Sequence, residues 1–181
     1  MERRFARLRR GATPEGPGLY VVPDDGMCLS TFLVIERPGR PGEVLLGQID
    51  PGADWSTMGS LSPERIAALG SRWTLPASQL LFFEGPDEAA RRVLREQLES
   101  ETSVLPAPHV VSESYRRPGS SAQDPHWDLQ FIYRFTWPGA EAPRARAWKE
   151  LRFVPVSSLA RNQLGRGHGD ILELAGLPPR D

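Results

Sequence analysis

The sequence has little of several residue types on which whole classes of protein depend. Cys28 is the one cysteine among 181 residues, which excludes an intramolecular disulfide and a zinc site made of several cysteines. Every apolar run is far shorter than the ~20 residues that span a bilayer, so we do not expect a membrane protein. The net charge of −1 lacks the basic excess of a nucleic-acid-binding protein, so nucleic acid is not an expected partner.

Lysine is scarce as well, because Lys149 is the single lysine among 22 basic residues. We interpret this as a GC-rich coding bias, a bacterial-type composition, and not as a functional use of guanidinium groups. Residues 1–18 are rich in arginine and then in glycine and proline, which predicts a mobile N-terminal arm. No apolar segment follows the arginines, so we expect no secretory signal and a cytoplasmic location.

Residues 19–181 have the length and composition of a single domain with its own core. Hydrophobic patterns predict strands on both sides of a central helix, and two further helices close the chain. This order predicts an α/β fold in which helices pack on a mixed sheet. The predicted strands are 19–22, 28–36, 43–49, 73–75, 80–84, 104–114, 127–137 and 148–154, and the predicted helices are 62–69, 86–101, 156–163 and 170–175.

The segment from Trp73 to Leu98 carries a spaced pattern of charged and apolar residues. Arg92 has Glu84 eight residues before it, Leu94 two residues after it and Glu96 four residues after it. This spacing resembles the signature of the Nudix hydrolases, G-x5-E-x7-R-E-U-x-E-E-x-G-U, where U is a bulky apolar residue. The order of elements over roughly residues 27–176 is also similar to that family. The resemblance implies a Nudix-type α/β/α sandwich with a mixed β-sheet, and a homodimer as one candidate assembly.

The signature is degenerate at positions that matter for chemistry. Ser78 stands in place of its first glycine, Val93 in place of the glutamate after the arginine, and Gln97 in place of the second paired glutamate. In the Nudix family the carboxylates at positions 93, 96 and 97 hold Mg²⁺ or Mn²⁺, and only Glu96 remains here. Because Mg²⁺ prefers carboxylate and other hard oxygen ligands, we expect this helix face to have lost most of its affinity for the metal. The resemblance leaves Glu84 and Glu96 as candidate ligands, and a chain without a metal cofactor is an equal expectation.

Candidate catalytic residues outside the signature are His126 and Asp128. As i and i+2 on one strand they share a face, so they form a candidate acid/base pair, with Glu96 as a third catalytic candidate. Arginine suits bidentate phosphate contacts and tryptophan can stack on a flat ligand. The candidate ligand-binding residues are Arg92, Arg116, Arg117 and Trp127. Each has a structural interpretation as well, such as an ion pair between Arg92 and Glu96 four residues apart.

Three functions are consistent with these residues. The first is a Nudix-fold protein that binds a nucleotide-like or other phosphorylated small molecule, with metal-dependent diphosphate hydrolysis lost or strongly weakened. The second is an active Nudix hydrolase of nucleoside diphosphates linked to another group, with relocated metal ligands. The third is a metal-independent acid/base enzyme of small-molecule metabolism that uses His126 and Asp128. The lost carboxylates favour the first.

Overall fold

The computed structural model describes residues 7–8, 27–59, 61–101, 105–116, 125–165 and 167–181. Within these ranges seven strands form one mixed sheet: β1 Arg7–Leu8, β2 Met27–Arg37, β3 Arg40–Ile49, β4 Ala77–Gln79, β5 His109–Arg116, β6 Pro125–Thr136 and β7 Trp148–Pro155. The helices of the same ranges are α1 Trp55–Met58, α2 Pro63–Leu69, α3 Pro86–Leu98 and α4 His168–Leu174, with 3₁₀ turns at Val156–Ser158 and Arg161–Gln163.

Strand β2 is the centre of the sheet, whose main order is β5–β6–β2–β3–β7. On one side it pairs in parallel with β6 over ten residues, from Met27 opposite Trp127 to Glu36 opposite Thr136. On the other side a tight turn brings β3 back antiparallel to the end of β2, while β4 pairs with Ser30–Phe32 near its start. This pairing places the segment that precedes α3 against the middle of the sheet.

Side-chain alternation along β2 and β6 divides the core into two layers. On one face Leu33, Ile35 and Tyr133 pack against the apolar stripe of α3. On the other face Val34 and Ile132 pack against residues of α4. The fold is therefore an α/β/α sandwich on a mixed sheet, as the sequence predicts.

Helix α3 begins where its sequence predicts. Pro86 occupies its first turn, and the Glu88 carboxylate accepts a hydrogen bond from Gly85 N–H at 2.7 Å. The buried Tyr133 hydroxyl donates to Asp87 Oδ1 at 2.5 Å, which joins β6 to the start of the helix. The helix ends at Leu98 and not near residue 101, because Glu99 adopts the left-handed conformation that terminates it.

Three local predictions are wrong. The strand predicted at 73–75 is absent, because Trp73 and Thr74 form only isolated bridges, and the strand of this region is Ala77–Gln79, which pairs with β2. The predicted strand 80–84 is mostly a turn, and the predicted helix 156–163 is two 3₁₀ turns.

Most of the N-terminal arm and the predicted strand 19–22 lie outside the described residues, although Arg7 and Leu8 pair with β2. No helix of the described ranges is long and apolar enough to cross a membrane.

Candidate functional site

Arg92 is buried at the centre of a dense set of hydrogen bonds. Its Nε and Nη2 donate to the two carboxylate oxygens of Glu84 at 2.7 and 2.8 Å. Nη2 also donates to the carbonyl of Gln79 at 2.8 Å, and Nη1 donates to Ser78 Oγ at 3.2 Å. The guanidinium therefore joins α3 to β4 and to the turn that follows, and only 4% of Arg92 is exposed to solvent. These bonds favour a structural role for Arg92 over a contact with a phosphorylated ligand.

Glu84 is occupied by the same contacts. Besides its bidentate pairing with Arg92, its Oε2 accepts the backbone N–H of Leu81 at 2.8 Å, which closes the turn 81–84. Each carboxylate oxygen thus has a partner within the chain. A metal ion at Glu84 would compete with a buried guanidinium that needs this negative charge.

Val93 lies fully inside the core under α3. It is 0% exposed and belongs to the cluster that includes Leu33, Ile35 and Tyr133. The helix face on which the Nudix signature has a carboxylate is therefore hydrophobic core here. A charged ligand group at position 93 would have no access to water.

Gln97 is fully buried, and each of its polar atoms has a backbone partner. Its Oε1 accepts from Ala77 N–H at 3.2 Å, while its Nε2 donates to the carbonyls of Ala77 at 2.8 Å and Met58 at 3.2 Å. The amide pairs with Ala77 through both a donor and an acceptor, which a carboxylate cannot do. Gln97 therefore joins α3 to β4 and α1 and turns no free oxygen toward a cation.

Glu96 is the one signature carboxylate of the helix that remains partly open, with 22% of its side chain exposed. Its Oε2 lies 3.9 Å from Arg92 Nη1, so the predicted i, i+4 ion pair is present but long. Within the described ranges no three His, Cys, Asp or Glu side chains are grouped so that they could hold a metal ion. The residues at positions 93, 96 and 97 do not fit the metal site of the Nudix signature.

The catalytic candidates on β6 lie apart from α3. Asp128 lies opposite Cys28 of β2 and Glu113 of β5. It is on the same face of the sheet as Ile132, which is the face that α4 covers. Glu96 belongs to the helix on the opposite face. The structure therefore does not bring Asp128 and Glu96 into one group. The backbone of His126 pairs with that of Tyr115, and its side chain lies outside the described part of the chain.

Of the ligand-binding candidates Trp127, Arg116 and Arg117, the structure describes the side chain of Trp127 only. Trp127 is partly exposed, and its Nε1 donates to Ser112 Oγ of β5 at 2.6 Å. Alternation along β6 places Trp127 on the α3 face, opposite to Asp128. Arg116 ends β5, with its side chain outside the described part of the chain, and Arg117 lies wholly outside it.

Two features of the structure were not predicted from the sequence. Gln130 donates to Glu113 Oε2 at 3.4 Å, which adds an amide and a second carboxylate beside Asp128. The sequence signal was available, since Glu113 and Gln130 are polar residues within apolar strand patterns, but pairing across β5 and β6 requires the register. The other feature is the exposed pair Phe82–Phe83, which lies in the segment predicted as a strand.

No protein-family model matches the sequence, and no curated protein matches it either. Solved structures do match. They include a MutT Nudix hydrolase from Burkholderia pseudomallei, with 16% identity, 81% of this chain and 96% of that chain covered, and a TM-score of 0.53.

Two further matches are similar in extent. The Nudix domain of Shewanella oneidensis NrtR, solved as a complex with ADP ribose, has 17% identity, coverages of 83% and 87%, and a TM-score of 0.57. The Nudix hydrolase RenU from M. smegmatis has 20% identity, coverages of 90% and 94%, and a TM-score of 0.54. The chain has the Nudix fold, as the signature around Arg92 predicts.

Proposed function

We propose that the chain is a Nudix-fold protein that binds a nucleotide-like or other phosphorylated small molecule and has lost most or all metal-dependent diphosphate hydrolysis. The observation that carries this proposal is the hydrogen bonding of Gln97. Its amide is fully buried and satisfied by the backbone of Ala77 and Met58, at a position where the family signature has a metal-binding carboxylate. A homodimer and a cytoplasmic location stay predictions from the sequence.

The chemistry of diphosphate cleavage explains why this loss is severe. A divalent metal stabilises the charge that develops on the phosphate oxygens and activates the attacking water, and several carboxylates are needed to hold it. Here Val93 supplies core packing, Gln97 supplies backbone hydrogen bonds, and Glu84 neutralises Arg92. Glu96 by itself is a weak ligand set, so we expect Mg²⁺ or Mn²⁺ to bind weakly or not at all.

The fold supports the binding half of the proposal. The NrtR Nudix domain, which has the same fold, was solved as a complex with ADP ribose. In this chain Trp127 offers a partly exposed indole, Arg116 ends the neighbouring strand β5, and Arg117 is the next residue in the sequence. We assign ligand contacts to these three residues, with the arginines directed to phosphate and the indole to a flat group.

The test uses ADP-ribose as the probe ligand. Isothermal titration in the presence of a chelator measures binding without metal, and phosphorus NMR after incubation with Mg²⁺ measures release of AMP. The proposal predicts binding in chelator that weakens in Trp127→Ala, and no AMP above a protein-free control. Trp127→Phe, which keeps a ring but loses the Nε1 donor, is the matched variant. Mg²⁺-dependent release of AMP that disappears in Glu96→Gln would instead identify a hydrolase.

A further inference from the structure

Two adjacent phenylalanines project from the surface at the turn before α3. Phe82 is 50% exposed and Phe83 is 105% exposed, so the ring of Phe83 is surrounded by solvent. Their ring centroids are 6.5 Å apart at an interplanar angle of 54°. Two large apolar side chains exposed side by side are unusual, and every other aromatic side chain that the structure describes is buried or partly buried.

The backbone at Phe83 is strained as well as exposed. Its φ of +64° lies in the left-handed region, which bulky side chains avoid. The turn is held by the Glu84 carboxylate, which accepts Leu81 N–H and is itself fixed by the buried Arg92. A rigid support therefore imposes an unfavourable backbone conformation on a residue whose side chain gives the fold no packing. Strain that the surroundings maintain in this way is a mark of functional positions.

A shallow depression of about 420 Å³ lies beside the two rings. Its wall includes Arg91 and Arg95, one helical turn apart on α3, together with Glu88. Neither arginine forms an ion pair within the described part of the chain, and Glu84 is neutralised by Arg92. Glu88 accepts the N–H of Gly85 but keeps its negative charge, so Arg91, Arg95 and Glu88 together carry a net charge of +1. The exposed charge next to the rings is therefore positive.

We propose that Phe82 and Phe83 are the anchor residues of a docking surface for a protein segment that combines apolar and acidic side chains. The rings would enter an apolar pocket of the partner, and its carboxylates would pair with Arg91 and Arg95. Aromatic and arginine side chains are the residue types that dominate binding energy at protein interfaces. Two rings and two arginines are a small area for attachment to a membrane, which favours a protein partner. This proposal does not depend on the function proposed above.

Random peptides displayed on phage and selected on the full chain test this surface. Phe83→Gly serves for counter-selection, because glycine tolerates a positive φ and the variant should fold at least as well as the wild type. We expect enriched peptides to combine acidic with bulky apolar residues. By fluorescence polarisation their affinity should fall by about ten-fold or more in Phe83→Gly and in Arg91→Gln/Arg95→Gln.

Val110→Ser is the matched control, because Val110 is 51% exposed and distant in sequence from the turn, and it should leave binding unchanged. The proposal is overturned if no peptide is enriched over the counter-selection, or if enriched peptides bind Phe83→Gly as tightly as the wild type. It is also overturned if the chain binds anionic phospholipid vesicles through Phe83 and no acidic peptide. Thermal unfolding of each variant shows whether a loss of binding reflects a loss of fold.

Discussion

Gln97→Glu restores the carboxylate of the Nudix signature, and the structure predicts that it damages the protein instead of repairing a metal site. In the wild type the Nε2 group donates to two carbonyls, those of Ala77 and Met58, at 2.8 and 3.2 Å. An ionised carboxylate cannot donate, so both carbonyls would face a negative oxygen in a place with no access to solvent. The one contact that survives is the acceptance of Ala77 N–H.

The magnitude follows from these contacts. Each buried carbonyl left without its donor costs about 1–3 kcal/mol, which gives about 2–6 kcal/mol for the carbonyls of Ala77 and Met58 together. The burial of a charge adds to this, so we expect the free energy of unfolding to fall by about 4 kcal/mol or more at neutral pH. A domain of this size has a total of only about 5–15 kcal/mol, so much of the stability would be lost.

Urea unfolding of the wild type, Gln97→Glu and Gln97→Met measures this loss. Gln97→Met removes the same two donated hydrogen bonds and also the acceptor of Ala77 N–H, but it adds no charge, so it should cost less than Gln97→Glu. The two carbonyls favour the protonated form of the introduced carboxyl, which raises its pKa in the folded state above the unfolded value of about 4.3. The introduced carboxyl is then protonated at a higher pH in the folded variant than in the unfolded one. The free energy of unfolding of Gln97→Glu should therefore fall further below that of Gln97→Met as the pH rises. Wild-type stability in Gln97→Glu, or a rise in its Tm on addition of Mg²⁺, would refute this reasoning.

Three further perturbations test other parts of the structure. Arg92→Met leaves the Glu84 carboxylate buried without its guanidinium partner, so the free energy of unfolding measured in urea should fall by about 3–5 kcal/mol. A fall of less than about 1 kcal/mol would show that the ion pair is dispensable. Burial lowers the pKa of His168 to about 4, and its Nδ1 accepts Leu75 N–H at 3.0 Å. As the pH falls, the imidazole of the unfolded chain is protonated before that of the folded chain, because its pKa is the ordinary value of about 6.5. The free energy of unfolding should therefore fall by up to about 3 kcal/mol between pH 6.5 and 4. This part of the pH dependence should be absent in His168→Gln. Gly47→Ala places a methyl group 2.2 Å from the Trp148 ring, so the free energy of unfolding should fall by about 1–3 kcal/mol or more. An unchanged Tm would contradict this close packing of Trp148 on Gly47.

Much of the fold was predictable because its signals are local. The start of α3 is set by Pro86 and the acidic residues after it, and the long strands follow from runs of apolar residues. The short elements were not predictable in this way. Ala77–Gln79 has a weak strand pattern and forms a strand because β2 offers it hydrogen-bond partners, and Glu84 folds the residues before it into a turn.

The candidate site was predictable only in part. Val93 and Gln97 were recognisable as lost carboxylates, but the sequence could not show that the Gln97 amide bonds to Ala77 and Met58, which are 20 and 39 residues away. Strand alternation along β6 places Asp128 on the face opposite to Trp127 and Tyr133. It could not show that α3, and Glu96 with it, lies on the other face, because that depends on how the helix packs.

Isothermal titration of Mg²⁺ and Mn²⁺ into the wild type and Glu96→Gln shows whether α3 holds a divalent metal. We expect no saturable binding at micromolar to low-millimolar concentration in either protein, with circular dichroism confirming that both are folded. The titration is repeated with ADP-ribose present, since the ligand's phosphates could complete a site. Saturable binding by the wild type that disappears in Glu96→Gln would show instead that a metal site survives on the helix.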